Sequence, residues 1–187
     1  MNGFCKNTLT AVVVLTLSAS CWFAHAQKDP MVGGAAMYPT KNIVENAVNS
    51  KDHTTLVAAL KAAGLVSTLE GAGPFTVFAP VNAAFDKLPA GTVDTLLKPE
   101  NKAQLVKILT YHVVAGKVSA KQLVAKIKAG GGKAVLKTVS GGTLTASLSG
   151  GMVHLTDEKG GMAMVTIANV YQSNGVIHVV DSVLLPN

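Results

Sequence analysis

Five histidines, two early cysteines and a scattering of lysines make up most of this chain's reactive side chains, so its chemistry rests on imidazole, carboxylate and ammonium groups. His178 and Asp181 look at first like an acid–base pair. They stand three apart in an extended segment, however, so their side chains leave opposite faces of the strand and cannot form a dyad with each other. Both read as structural. His112 follows Tyr111 where a helical period gives way to an extended one. A histidine facing inward at such a junction is most often neutral and bonded to backbone, while direct recognition of a partner by Tyr111 and His112 is the competing reading. His53 begins a helix and His154 lies in a strand, and neither has a second ligand at i+3 or i+4, so no metal site and no cofactor are expected.

The signatures of catalysis fail on inspection, and no catalytic residue is assigned. No Gly-x-Ser-x-Gly elbow surrounds a serine, Gly130–Lys133 lacks the spacing and the following Ser or Thr of a phosphate loop, and no Gly-x-Gly-x-x-Gly follows a strand. Lys117, Lys121, Lys126, Lys128, Lys133 and Lys137 gather positive charge in one stretch of sequence. Such a patch suits an anionic glycan or lipid headgroups, with Lys121 and Lys128 as candidate binding residues and a peripheral membrane contact as one form of that binding. A solvated helix face is the plain alternative. Nucleic acid is not expected, because aromatics make up only 5% of the chain and none is interleaved with those lysines.

The elements that must carry these residues can be read from period and punctuation. Ile43, Val44 and Ala47 share one helical face, and Leu56, Val57 and Leu60 continue the spacing up to Gly64, a C-terminal cap, so two short helices are expected before any strand. Phe75–Ala79 alternates as a strand between Gly73-Pro74 and Pro80, and Asn82 is placed to cap the helix that begins at Ala83. Leu105, Ile108 and Leu109 mark a further helix that ends at Tyr111-His112. Ser119 caps another, with Leu123, Val124 and Ile127 inward and Lys121, Lys126 and Lys128 outward. From Ala134 onward, short strands alternate with glycine-bearing turns, ending in the apolar run Val176–Leu184, which reads as a strand buried on both faces. Helices first and strands last imply an α+β domain.

The N-terminal 26 residues read as a signal peptide: Lys6, an apolar stretch over Leu9–Leu17, and Ala24-His25-Ala26 before a cleavage point at Gln27. That apolar stretch is shorter than the roughly 20 residues a membrane-spanning helix needs. A lipid attached at Cys21 is the minor alternative. Cleavage would remove both cysteines, Cys5 and Cys21, and with Lys6 gone the formal net charge of +6 becomes +5. The remaining residues suit one domain without disulfides, preceded by a mobile lead over 27–38.

Three segments together resemble one family: Phe75-Thr76-Val77-Phe78-Ala79-Pro80-Val81-Asn82-Ala83-Ala84-Phe85, Tyr111-His112, and Asn174–Pro186. In order and spacing they are similar to the two signature segments and the Tyr-His motif of the fasciclin (FAS1) domain, over residues 39–187. The resemblance implies a FAS1-type twisted β-sandwich or wedge beside a cluster of short helices. It also implies a non-enzymatic adhesion or binding role outside the cell, secreted or periplasmic, toward a cell-surface or matrix protein or an anionic glycan. In that family the Tyr-His pair has been tied to adhesion as well as to folding. Val81 departs from the threonine often found before the Asn or Asp, which weakens ligand recognition at that turn. The alternative is an enzyme or small-ligand carrier whose pocket is assembled from distant residues such as His112 and Asn82.

Overall fold

The computed structural model describes residues 29–89 and 91–187, so the signal-like segment with Cys5 and Cys21 lies outside the described residues. A two-stranded antiparallel ribbon, β1 (Met31–Val32) and β2 (Ala35–Ala36), leads into three helices, α1 (Ile43–Ala47), α2 (Thr54–Ala63) and α3 (Val66–Glu70). β3 (Phe75–Pro80) follows, then α4 (Asn82–Asp86), α5 (Thr92–Leu96) and α6 (Lys102–Tyr111). β4 (Val113–Ala115) and α7 (Ala120–Ala129) precede the strand-rich half: β5 (Lys133–Lys137), β6 (Thr143–Ser149), β7 (Met152–Thr156), β8 (Met162–Gln172) and β9 (Gly175–Val180).

Local chemistry explains where the helices start and stop. Asn42 with Glu45, and Ser119 with Gln122, form reciprocal capping boxes at α1 and α7, satisfying amides that have no partner inside the helix. Gly64 closes α2 in the left-handed conformation, at φ 73°, which glycine adopts without a steric penalty.

One seven-stranded sheet runs in the order β4-β3-β9-β8-β7-β6-β5, with β3 and β9 parallel and every other pair antiparallel. The sheet curls until its two terminal strands meet. Thr138, just past β5, bridges Val114 of β4, and the Val139 amide donates to the Val113 carbonyl. The architecture is therefore α+β, a wedge-like, nearly closed sheet with several short helices.

All six residues of β9 are buried, as the near-continuous apolar run, broken only by His178, requires of a strand with packing on both faces. Ile177 and Val179 join a core beneath the helices with Leu56, Leu60, Leu105 and Leu109. Val180 joins a second core inside the curled sheet, with Phe78, Tyr111, Leu123, Ile127 and Leu144. The strand ends at Val180, earlier than the sequence pattern suggests, because Asp181 turns outward; Leu184 then returns to the second core, fully buried. On β8 the register slips between Ile167 and Val170, where Asn169 takes φ 61° and its side-chain oxygen accepts from the Ala120 amide at the start of α7. The bulge thus turns a strand residue into a helix anchor.

Residues 29–38 hold more structure than their aperiodic sequence suggests, and a strand ribbon precedes the first helix. Val32 and Met37 are buried in the first core, Lys51 N–H donates to the Gly33 carbonyl, and the Asn46 side chain meets both the N–H and the C=O of Tyr38. Two apolar residues either side of a Gly33-Gly34 turn are enough to seat the ribbon, but too few to set up a readable period.

The parallel β3–β9 pairing makes a sharp demand at Gly175. A Cβ there would collide with the Phe75 carbonyl oxygen and lie 3.0 Å from Ile43 Cδ1. Gly175→Ala is expected to lose about 1–3 kcal/mol, read as a fall in the urea midpoint; an unmoved midpoint would mean that β3 and β9 separate freely at this end.

Candidate functional site

The Tyr111-His112 pair sits where α6 turns into β4, and both residues are buried. Tyr111 donates its hydroxyl proton to the Thr143 carbonyl at 2.6 Å and accepts from the Glu158 amide at 3.2 Å. His112 Nδ1 lies 2.9 Å from the Ile108 carbonyl, and its Nε2 accepts from the Leu184 amide at 3.0 Å. These partners call for a neutral ring with the proton on Nδ1, and burial pushes the His112 pKa below its ordinary value against the opposing pull of the Ile108 carbonyl. The pair therefore fastens the C-terminal tail and the β6 edge to α6. His112 is 3% exposed and both of its ring nitrogens have backbone partners, contacts that suit the core-support reading of the pair.

His178 and Asp181 separate as their spacing dictates. The His178 ring stacks on Phe78, with centroids 5.6 Å apart, and its Nε2 lies 2.9 Å from the Val118 carbonyl, tying β9 to the segment before α7. Asp181 faces outward. Its carboxylate accepts from the Met164 amide at 2.8 Å and pairs with the Lys87 ammonium at 3.3 Å. Partial burial pushes the Asp181 pKa up, but the Met164 amide and Lys87 outweigh it and hold the group below its ordinary value.

Asn82 behaves differently from the expected cap. It lies inside α4, and no side-chain cap bonds that helix's first amides. Its side-chain oxygen instead accepts from the Thr55 amide at 3.1 Å and the Thr54 hydroxyl at 3.2 Å, while its amide donates to the Lys51 carbonyl at 2.8 Å. It caps the neighbouring helix α2. Sequence proximity favours a helix's own first turn, and only the fold could show that the start of α2 lies within reach.

The lysines prove to be divided. Leu123 and Ile127 of α7 pack with Ala134 and Leu136 of β5, so the exposed Lys133 and Lys137 leave the sheet on the side opposite α7. Lys117 rests over the Tyr171 ring at 5.1 Å. Lys121, Lys126 and Lys128 remain on the outer side of α7, exposed and, among the described residues, outside any ion pair. Lys121 and Lys128 are seven residues apart, two helical turns along one face.

Two buried features were not read from the sequence, the Asn46–Gln172 pair and the enclosure of His53. Asn46 and Gln172 are fully enclosed and bonded to each other, joining α1 to β8. His53 is 3% exposed, with Nδ1 2.9 Å from the Ser50 hydroxyl and the Ala79 carbonyl beside the ring, short of full hydrogen-bonding geometry at Nε2. Its position beside Leu56 and Val57, at the head of an apolar helix face, was the available signal. Among the described residues no cluster of three or more His, Cys, Asp or Glu could hold a metal ion, and no helix is long and apolar enough to cross a membrane.

The signature strands β3 and β9 lie side by side, and the Tyr-His pair locks the closing tail to them. A family model for the Fasciclin domain matches residues 51–186. The chain belongs to the fasciclin family. Over 160 residues this fasciclin chain is 49% identical to protein sll1483 of Synechocystis sp., covering 86% of this chain and 82% of that protein. It is 40% identical over 145 residues to the immunogenic protein MPB70 of Mycobacterium bovis, covering 75% and 66% respectively. A solved FAS1 domain pair from the insect cell adhesion molecule fasciclin I aligns with a TM-score of 0.69, over 78% of this chain and 51% of that one; at 19% identity the likeness is one of fold.

Two outcomes are expected of this fasciclin domain. Asn82→Ala should lose about 1–2 kcal/mol, and hydrogen exchange should quicken at the Thr55 amide rather than along α4; unchanged exchange at Thr55 would refute the cross-helix cap. Stability should also fall in mild acid. Burial lowers the pKa of His53, His112 and His178, so the unfolded chain takes up protons near pH 6.5 that the folded one refuses. Their contribution is complete above about pH 6.5 and is lost as pH falls toward the folded values, by at most about 1.4 kcal/mol per pH unit for each ring. Asp181 and Glu158, both held below their ordinary values, add losses only at lower pH. A urea midpoint that does not change between pH 7.5 and 5.0 would contradict this reading.

Proposed function

We propose that this fasciclin domain is a non-enzymatic binding module that works outside the cell, secreted or periplasmic, and docks an anionic glycan or an acidic surface protein through the outer face of α7. The observation that carries the reading is the pair of exposed lysines Lys121 and Lys128 on one face of α7, with Lys126 exposed to the side of them, without an acidic partner among the described residues and backed by a helix whose inner face is held in the core. An immobile helix keeps the charges in register, so a polyanion meets them without ordering the scaffold first. Membership of a family that includes a domain pair from an insect cell adhesion molecule supports a surface setting. So does the signal-like N-terminus, with cleavage near Ala26 or, alternatively, a lipid at Cys21.

The alternative is an enzyme or small-ligand carrier with a pocket assembled from distant residues such as His112 and Asn82. Both ring nitrogens of His112 have backbone partners, and Asn82 is committed to α2. Neither ring nitrogen of His112 is therefore free for a substrate.

The test is chromatography on heparin, and flotation with anionic vesicles, for wild type and a Lys121→Glu/Lys128→Glu variant. Each exposed charge pair contributes about 0.2–1 kcal/mol, so the reversed variant should bind heparin about tenfold more weakly with an unchanged thermal midpoint. Equal retention of the two proteins would overturn the α7 reading. Retention on vesicles without retention on heparin would assign the face to a membrane surface instead.

A further inference from the structure

The outer face of the curled sheet gathers thioethers around one imidazole. On β7 and β8, Val153, Leu155, Ala163 and Val165 belong to the second core, so the residues that alternate with them, Met152, His154, Met162 and Met164, leave the sheet on its outer side. Met152 and Met162 are 47% and 58% exposed, and His154 and Met164 are half-buried. Register brings them together: His154 stands directly opposite Met164, and Thr156 opposite Met162. Met162 is therefore a diagonal neighbour of His154, while Met152 precedes His154 by two residues on the same face. Facing residues have Cβ atoms about 4.5–5.5 Å apart and diagonal ones about 7–8 Å, and alternate residues of one strand are about 6.6 Å apart. An unbranched methionine side chain adapts to gaps of this size. Met152 and Met162 are about 13 Å apart along the strands, so one or the other, not both, joins His154 and Met164.

The ring is available for a ligand. Among the described residues, the hydrogen bonds of histidine rings belong to His53, His112 and His178, and the neighbour of His154 on its other side is Ser147 of β6. The chemistry of the set selects the ion. Strands β5 to β8 contain no aspartate or glutamate, and the carboxylates nearby, Asp157, Glu158 and Asp181, accept from backbone amides. A hard cation such as Ca²⁺ or Mg²⁺, which takes oxygen ligands, finds none here. Zinc takes thiolate, imidazole and carboxylate, of which this face offers a single imidazole. Thioethers with imidazole suit Cu(I). Lys133 stands two strands from His154, across Ser147, and repels a monovalent ion less than a divalent one.

We propose that the outer face of β7 and β8 binds a single Cu(I) ion, held by His154, Met164 and either Met152 or Met162. The ligands come from two adjacent strands of a sheet whose other side is packed in the core, so the backbone that carries them is already in place. A three-coordinate ion on an open face is within reach of a competing sulfur donor, which suits a site that exchanges its ion and not one that staples the fold. The face lies on the side of the sheet opposite α7, so copper binding and heparin binding succeed or fail independently.

The experiment titrates Cu(I), added under argon as its acetonitrile complex, into the full-length chain with ¹³C-labelled methionine methyls, followed by NMR. Cys5→Ser and Cys21→Ser are present throughout, so that thiols do not compete for the ion. The expected result is a saturable shift of the Met164 methyl and of Met152 or Met162 at one equivalent, with Met31 and Met37 of the N-terminal ribbon unmoved and Zn(II) without effect on any methyl. His154→Ala should weaken Cu(I) binding at least about tenfold, as should the double variant Met152→Leu/Met162→Leu, which removes sulfur and keeps the apolar bulk. Both should keep the wild-type thermal midpoint, since all three positions lie outside the core; should His154→Ala not fold, the double variant decides. Equal shifts at Met31, a double variant that binds Cu(I) as tightly as wild type, or Zn(II) moving the same methyls at the same concentration would each overturn the site.

Discussion

The interior strand β9 cannot be exposed on either face, and the rest of the molecule follows from that constraint. Its six residues are all buried, so it needs one layer packed beneath the helices and another packed inside the curled sheet. The parallel partner β3 serves the same two layers, sending Val77 and Ala79 to one and Phe78 to the other. Helices α1, α2, α3 and α6 cover one side of this pair, and α7 with strands β5 to β8 covers the other. The polar residue inside the strand obeys the same constraint: His178 keeps its place by stacking on Phe78 and holding the Val118 carbonyl, as burial demands of any polar group.

That constraint also explains why histidines so prominent in the sequence yield so little chemistry. His112 and His178 are held neutral by burial and bonded to backbone, which makes them struts between segments far apart in the chain. His112 links α6 to Leu184, 72 positions away. Removing either ring would leave backbone groups buried without partners, so these residues govern whether the fold closes and not what it binds. His53 departs from the pattern, since its Nε2 has the Ala79 carbonyl beside it without full hydrogen-bonding geometry.

Much of this was legible because it is local. The helix caps at Ser119 and Gly64, the doubly buried final strand and the opposite exits of His178 and Asp181 all depend on residues within a few positions of each other. What stayed hidden depends on distance in the chain. Asn82 reaches back to α2, the lysines of α7 and β5 are parted by the sheet between them, and the ribbon at 31–36 is seated by Val32 and Met37 against elements the sequence cannot place. The Asn46–Gln172 pair, 126 positions apart, could not have been anticipated from periodicity, which registers where polar residues fall but not which ones meet.

The meeting of the two terminal strands, through Val114 with Thr138 and Val139 with Val113, bears on behaviour in company. An open seven-stranded sheet would offer unpaired edges on which another copy could add strands, the usual route to domain swapping and fibrillar association. Here the edges are turned toward each other, and α7 packs beside β5. Such a domain tolerates crowding on a surface, or repetition along a chain, without templating its neighbours.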